Sequence, residues 1–121
     1  EKTRVVHLLE GYENTFPTVS LRLKIRALRG MVYRYEVFNR RVRGKAEFVL
    51  SVEDLDDDVM SDFMEYICSE RTYYNMYPDV YISVGYVLGC RKLHCYEIVN
   101  IRNRLRHFVS WWEDGISASK V

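Results

Sequence analysis

The chain has 121 residues, 48% of them hydrophobic, which is enough for one compact core and too few for two ordinary domains. Two prolines, six glycines and the absence of any low-complexity tract argue against disorder and against a many-turned β-sandwich, and no apolar run approaches the roughly 18 residues of a membrane span. A formal net charge of +1 excludes no partner, whereas three cysteines, Cys68, Cys90 and Cys95, with no CxxC pair argue against a secreted disulfide framework.

The opening residues, "EKTRVVHLLE", lack a signal peptide's apolar stretch and cleavage site, so a soluble, cytoplasmic chain is expected. Val5, Leu8, Leu9 and Tyr12 predict a short first helix. Leu21, Ile25, Leu28, Val32 and Tyr35, with Met31 and Phe38 alongside, then recur at spacings of four and three, the apolar stripe of a long amphipathic helix. Thr18 or Ser20, just after Pro17, is placed to cap its start. Arg22, Arg26 and Arg29 follow the same spacing and are expected to form a second, outward stripe.

Leu55, Val59, Phe63 and Tyr66 or Ile67 predict a third helix, with Asp56, Asp57 and Asp58 in its first turn, where the helix dipole favours negative charge. Consecutive aspartates on a helix splay apart, so this cluster reads as helix-start chemistry and no metal site is expected. Tyr73, Tyr74 and Tyr77 extend the pattern to Pro78, and the stretch beyond that proline reads equally as loop or short strand. The last element is "IVNIRNRLRHFVSWWEDG". Ile98, Ile101, Leu105, Phe108 and Trp112 make its apolar stripe, with Asn100, Asn103, Arg104 and His107 on one outward flank and Arg102 and Arg106 on the other. Gly115 is expected to end it as a left-handed residue, leaving residues 116–121 as the start of a linker.

Charge is segregated along this order. The charges in residues 22–45 are all basic except Glu36, those in residues 47–70 are all acidic, and Arg91, Lys92, Arg102, Arg104 and Arg106 turn the chain basic again. If the fold joins the basic segments, one face carries the positive field a polyanion needs; a merely hydrated surface would carry the same runs. Trp112 reads as core and Trp111 as either core or a base-stacking platform. No glycine-rich phosphate loop, paired metal-ligand motif or nucleophile elbow is present. The adjacent His94 and Cys95 point apart in most backbones, and a zinc site from Cys90, His94 and Cys95 would need Cys68 or His7 as well. Neither catalytic residues nor a cofactor is expected.

Several stretches together carry a resemblance. "NRLRHFVSWWEDGIS" resembles the last long helix of the core-binding, phage-integrase SAM-like domain of tyrosine recombinases. "LRLKIRALRGMVYRYEVFNR" resembles that domain's long second helix, and "LSVEDLDDDVMSDFMEYI" its acidic helix with the preceding extended stretch; "MYPDVY" looks like an insertion of one bacterial subgroup. One departure is "LHCYEIVN", where the family often has a Ser-x-Asn-Thr-like turn. The resemblance implies an all-α, compact bundle of four to five helices over residues 1–115, binding double-stranded DNA at a recombination core site as half of a clamp. It implies further that a separate catalytic domain, which nothing here resembles, would cut and rejoin the DNA, that this fragment is monomeric and not an enzyme, and that the full-length protein assembles with other recombinase subunits on a bacterial mobile element. The residues expected at DNA are Arg22, Arg26, Arg29, Asn103, Arg104, Arg106 and His107, with Lys24 and Arg102 as second choices. A helical protein-interaction module and a non-recombinase DNA-binding regulator are the alternatives.

Overall fold

The computed structural model describes residues 2–85 and 93–119. Five α-helices account for most of them: α1 (Val5–Glu13), α2 (Val19–Arg41), α3 (Asp57–Met76), α4 (Pro78–Ser83) and α5 (Cys95–Ser119), with a short 3-10 turn at Val52–Asp54. The protein is an all-α bundle. None of these helices is long and apolar enough to cross a membrane.

Local chemistry sets the helix starts. The Thr18 hydroxyl accepts from the Leu21 N–H at 3.3 Å, and the Asp56 carboxylate accepts from the Val59 N–H at 2.9 Å, each satisfying a donor that the first turn leaves unpaired. At the start of α5 the Glu97 carboxylate reaches back to accept from the His94 N–H at 3.2 Å, half of a capping box. After α2 the chain reverses at Gly44, whose φ of 72° is a left-handed conformation that glycine tolerates best.

The predicted stripes meet in one core. Leu9 of α1, Ile25, Leu28 and Val32 of α2, Phe63 and Tyr66 of α3, and Leu105 and Phe108 of α5 are all buried together. α1 lies along the first half of α2, and Tyr12 at its end packs edge-on against Phe108 of α5 with ring centroids 5.4 Å apart.

Two buried carboxylates tie the bundle together. Glu36 of α2, fully buried, receives the Arg4 guanidinium through two bonds of 3.1 and 2.5 Å and the Leu50 N–H at 2.8 Å, joining three separate segments. Its partners sit next to a single antiparallel bridge between Arg4 and Ser51. Glu70 of α3 is gripped by Arg34 of α2 at 2.6 and 3.0 Å and by the Tyr66 hydroxyl at 2.9 Å, which also pairs with the Tyr81 hydroxyl of α4 at 2.8 Å.

Three expectations change. The stretch directly after Pro78 is neither loop nor strand: Pro78 starts the short helix α4, which its fixed φ favours at the first helical position, and buried Tyr81 anchors it, while residues 86–92 of that stretch lie outside the described residues. Gly115 does not end α5. It lies inside the helix without a positive φ, and the helix runs on to Ser119, because a glycine stops a helix only where it turns left-handed. The arginines of α2 are not a free outward stripe, because α1 and the turn after it engage Arg22, Arg26 and Arg29.

Candidate nucleic-acid interface

α5 stands as a ridge between α2 and α3. With Leu105 buried beneath it, a turn of about 100° per residue sends Asn100, Arg104 and His107 toward α2, Arg102 and Arg106 toward α3, and leaves Asn103 near the crest. The side chains obey that geometry. Lys24 and Leu21 of α2 face Asn100, Asn103, Arg104 and His107 across an open groove of about 470 Å³, floored by Ile25 and walled at one end by Tyr12 and Phe16. A second hollow of about 430 Å³ continues it along the same two helices past Lys24, Arg104 and Asn100 to Tyr96 and Glu97.

Among the described residues no carboxylate lines the first hollow and no ion pair engages Lys24 or Arg104. Arg104 acts on its surroundings instead: burial pushes the Tyr12 hydroxyl above its ordinary pKa, and the nearby Arg104 charge pulls it back. Trp111 lies over the closed end with its ring 5.0 Å from Tyr12 and 6.0 Å from Phe108, 37% exposed, so one indole surface packs and another meets solvent.

The arginines expected on α2 are placed differently. Arg26 Nε donates to Glu13 at 2.7 Å, Arg29 lies 3.6 Å from Glu10, and Arg22 Nε donates to the Phe16 carbonyl at 2.7 Å. They fasten α2 to α1 and the turn after it. The apolar spacing set their phase along α2 but could not reveal that α1, with Glu10 and Glu13, would lie beside them. Conversely Lys24, a second choice on helical phase, sits at the centre of the groove, and Asn100 joins Asn103 there. The sequence signal for Lys24 was its position at the border of the apolar stripe on the side away from the arginines, which becomes a groove edge once α5 packs alongside.

Arg106 is brought to the other side of α5, next to Arg102 and facing Asp57 and Glu65 of α3. His94 is exposed and stacks on Tyr96 with centroids 5.6 Å apart, while Cys68 and Cys95 are free and exposed. Cys90, needed for the zinc alternative, lies outside the described residues; among the described residues no three metal-ligating side chains converge.

The chain matches no family model, no curated protein and no solved structure.

Proposed function

We propose that this chain binds duplex DNA through the groove and ridge formed by α2 and α5. We propose further that it is the core-site recognition half of a tyrosine-recombinase clamp, itself without cleavage activity. The observation that carries the binding reading is the lining of the α2–α5 groove: Lys24 and Arg104, which have no ion-pair partner among the described residues, two asparagine amides and an imidazole, with no carboxylate among the described residues at its centre. Such a set offers donors to phosphate oxygens from both helices at once. Lys24 and Arg104 supply charge, His107 extends the donor row, and Asn103 at the crest can present both its acceptor and its donors to a base edge. Phosphate contacts supply affinity; the amide supplies selectivity. The clamp reading rests on the order of basic, acidic and arginine-tryptophan helices and on their all-helical assembly.

The test is a titration of fluorescent duplex at several salt concentrations. With about five phosphates neutralised, log K falls against log salt with a slope of roughly −4 to −5. A flat response would remove the DNA reading. Incubation with a nicked core-site duplex is expected to leave no covalent protein–DNA adduct, and an adduct through any tyrosine would overturn the non-catalytic assignment.

A further inference from the structure

The side of α5 turned toward α3 ends in a thiol, and so does the side of α3 turned toward α5. The two helices run antiparallel. Near the end of α5, Val109 and Glu113 share a hollow with Leu55, Asp56 and Asp57, at the start of α3. Further back along α5, Arg102 shares one with Ser61, Met64 and Glu65, further on along α3.

That register places two residues the hollows do not reach. Cys68 stands about two turns beyond Ser61 on α3, and Cys95 about two turns before Arg102 on α5. At about 100° per residue, each returns to within about 20° of the phase it started from, so each lies on the row of its helix that faces the other. Because the helices are antiparallel, both steps go the same way in space, by roughly 10 Å. Cys68 and Cys95 therefore arrive at the same height on facing rows. Both are free thiols and both are exposed, so a small oxidant in solution reaches them.

Their electrostatics agree with this placement. Partial burial pushes the Cys68 thiol above its ordinary pKa, and the charges of Cys95 and Glu65 add to the rise. One thiol thus feels the charge of the other across the two helices. A disulfide spans Cα separations of roughly 4.4–6.8 Å, a reach that facing positions of packed helices meet.

We infer that Cys68 and Cys95 form a dithiol pair that closes to an intramolecular disulfide under a disulfide oxidant, stapling the first turn of α5 to α3. With glutathione disulfide as the oxidant, one protein thiolate attacks it and releases a glutathione, and the second thiolate then displaces the other glutathione from the mixed disulfide. The two protein thiols lose two electrons and two protons, and glutathione disulfide leaves as two glutathione thiols. The first turn of α5 also carries Tyr96 and Glu97, which line the far end of the α2–α5 groove, so the staple fixes that end in the oxidised chain alone.

The experiment equilibrates the whole chain with glutathione disulfide, digests it with trypsin without reductant, and maps the cross-links by mass. Cleavage after Arg71, Arg91 and Lys92 separates Cys90 from both other cysteines. The expected product is a monomer lighter by two hydrogen atoms that yields residues 46–71 joined to residues 93–102. By closing a loop, the bond should raise the melting temperature by roughly 5–15 °C. A thiol reductant should reverse the rise, and Cys68→Ser, an exchange at an exposed position, should show none. A map with only glutathione adducts, cross-linked dimers or a link through Cys90 would overturn the pairing. So would a Cys68–Cys95 bond that fails to raise the melting temperature, because the thiols would then stand apart in the folded chain. Neither readout involves nucleic acid, so a failure here leaves the DNA reading standing, and the reverse.

Discussion

Helices α2 and α5 share one design, an apolar stripe with arginines at its borders, yet they use those arginines in opposite ways. On α2, Arg26 and Arg29 meet Glu13 and Glu10, Arg34 meets Glu70, and Arg22 meets the Phe16 carbonyl. On α5, none of Arg102, Arg104 and Arg106 is ion-paired among the described residues. The difference lies in the neighbours. α2 is flanked by α1 and α3, which carry glutamates at matching heights, whereas Arg104 of α5 meets Lys24, a like charge, and Arg102 and Arg106 face Asp57 and Glu65 without closing to an ion pair. Identical residues thus become fasteners in one helix and an available charged surface in the other, so a count of basic residues overstates the charge a polyanion would meet.

The sharpest way to break this comparison is to remove the acceptor of a fastener. Glu36→Ala leaves the Arg4 guanidinium and the Leu50 N–H without their shared acceptor in the interior. Denaturant unfolding should show a loss of about 3–5 kcal/mol, the range for a buried pair with one member deleted. A loss below about 1 kcal/mol would mean that the carboxylate is held by the fold rather than holding it.

Next in size is the contrast between Arg104 and Arg26. Arg104→Ala should leave stability within about 0.5 kcal/mol of the parent and flatten the salt slope of duplex binding by about 1. Arg26→Ala should do the reverse. Glu13 is buried while Arg26 is more than half exposed, so solvent screening limits the stability cost to about 1 kcal/mol, and the salt slope should hold. Equal effects of the two variants on the slope would erase the distinction between the helices.

Acid should also weaken the carboxylate fasteners. Asp62 accepts from Tyr35 at 2.5 Å and Arg43 at 2.6 Å. Desolvation, its largest single influence, raises the carboxyl pKa, but the hydrogen bonds from Arg43 and Tyr35 outweigh it and hold it below the ordinary aspartate value. A carboxyl depressed on folding contributes stability above its unfolded pKa of about 3.9 and loses it as pH falls through the lower folded value. Stability should therefore be level above about pH 5 and drop below about pH 4, and Asp62→Asn should reduce the size of that drop in circular-dichroism melts.

How much of this was legible in the sequence depends on the range of each interaction. The cap at Thr18, the aspartates opening α3 and the stripes of α2 and α5 depend on residues within a few positions of one another, and the periodicity exposes them. The division of α5 into Asn100, Arg104 and His107 on one side and Arg102 and Arg106 on the other is likewise a matter of helical phase. The fates of Arg22, Arg26 and Arg29 depend on α1, and the central position of Lys24 depends on where α5 packs. Those are long-range facts that no local pattern encodes. Tyr81 shows the same limit: Pro78 is a local helix-start signal, but what anchors α4 is Tyr81 buried against the Tyr66 hydroxyl of another helix, which no local pattern encodes.

The smallest expected effect tests the end of the ridge, where a local rule misled. A glycine after an apolar stripe is the usual sign of a left-handed cap, and Gly115 after Trp112 fits it. In the structure α5 passes through Gly115 with ordinary helical geometry, and a Cβ built there meets nothing within 4 Å. The two readings predict opposite signs for Gly115→Ala. Inside a continuing helix, alanine relieves glycine's backbone-entropy cost and should stabilise the chain by about 0.5–1 kcal/mol, with a small gain in helical circular dichroism. At a left-handed cap the same methyl would be strained and destabilise by at least as much. A rise in melting temperature would fix α5 as one uninterrupted ridge carrying Trp111 and Asn103 on the same rigid rod; a fall would return the helix end to Gly115 and detach the final turn from the proposed interface.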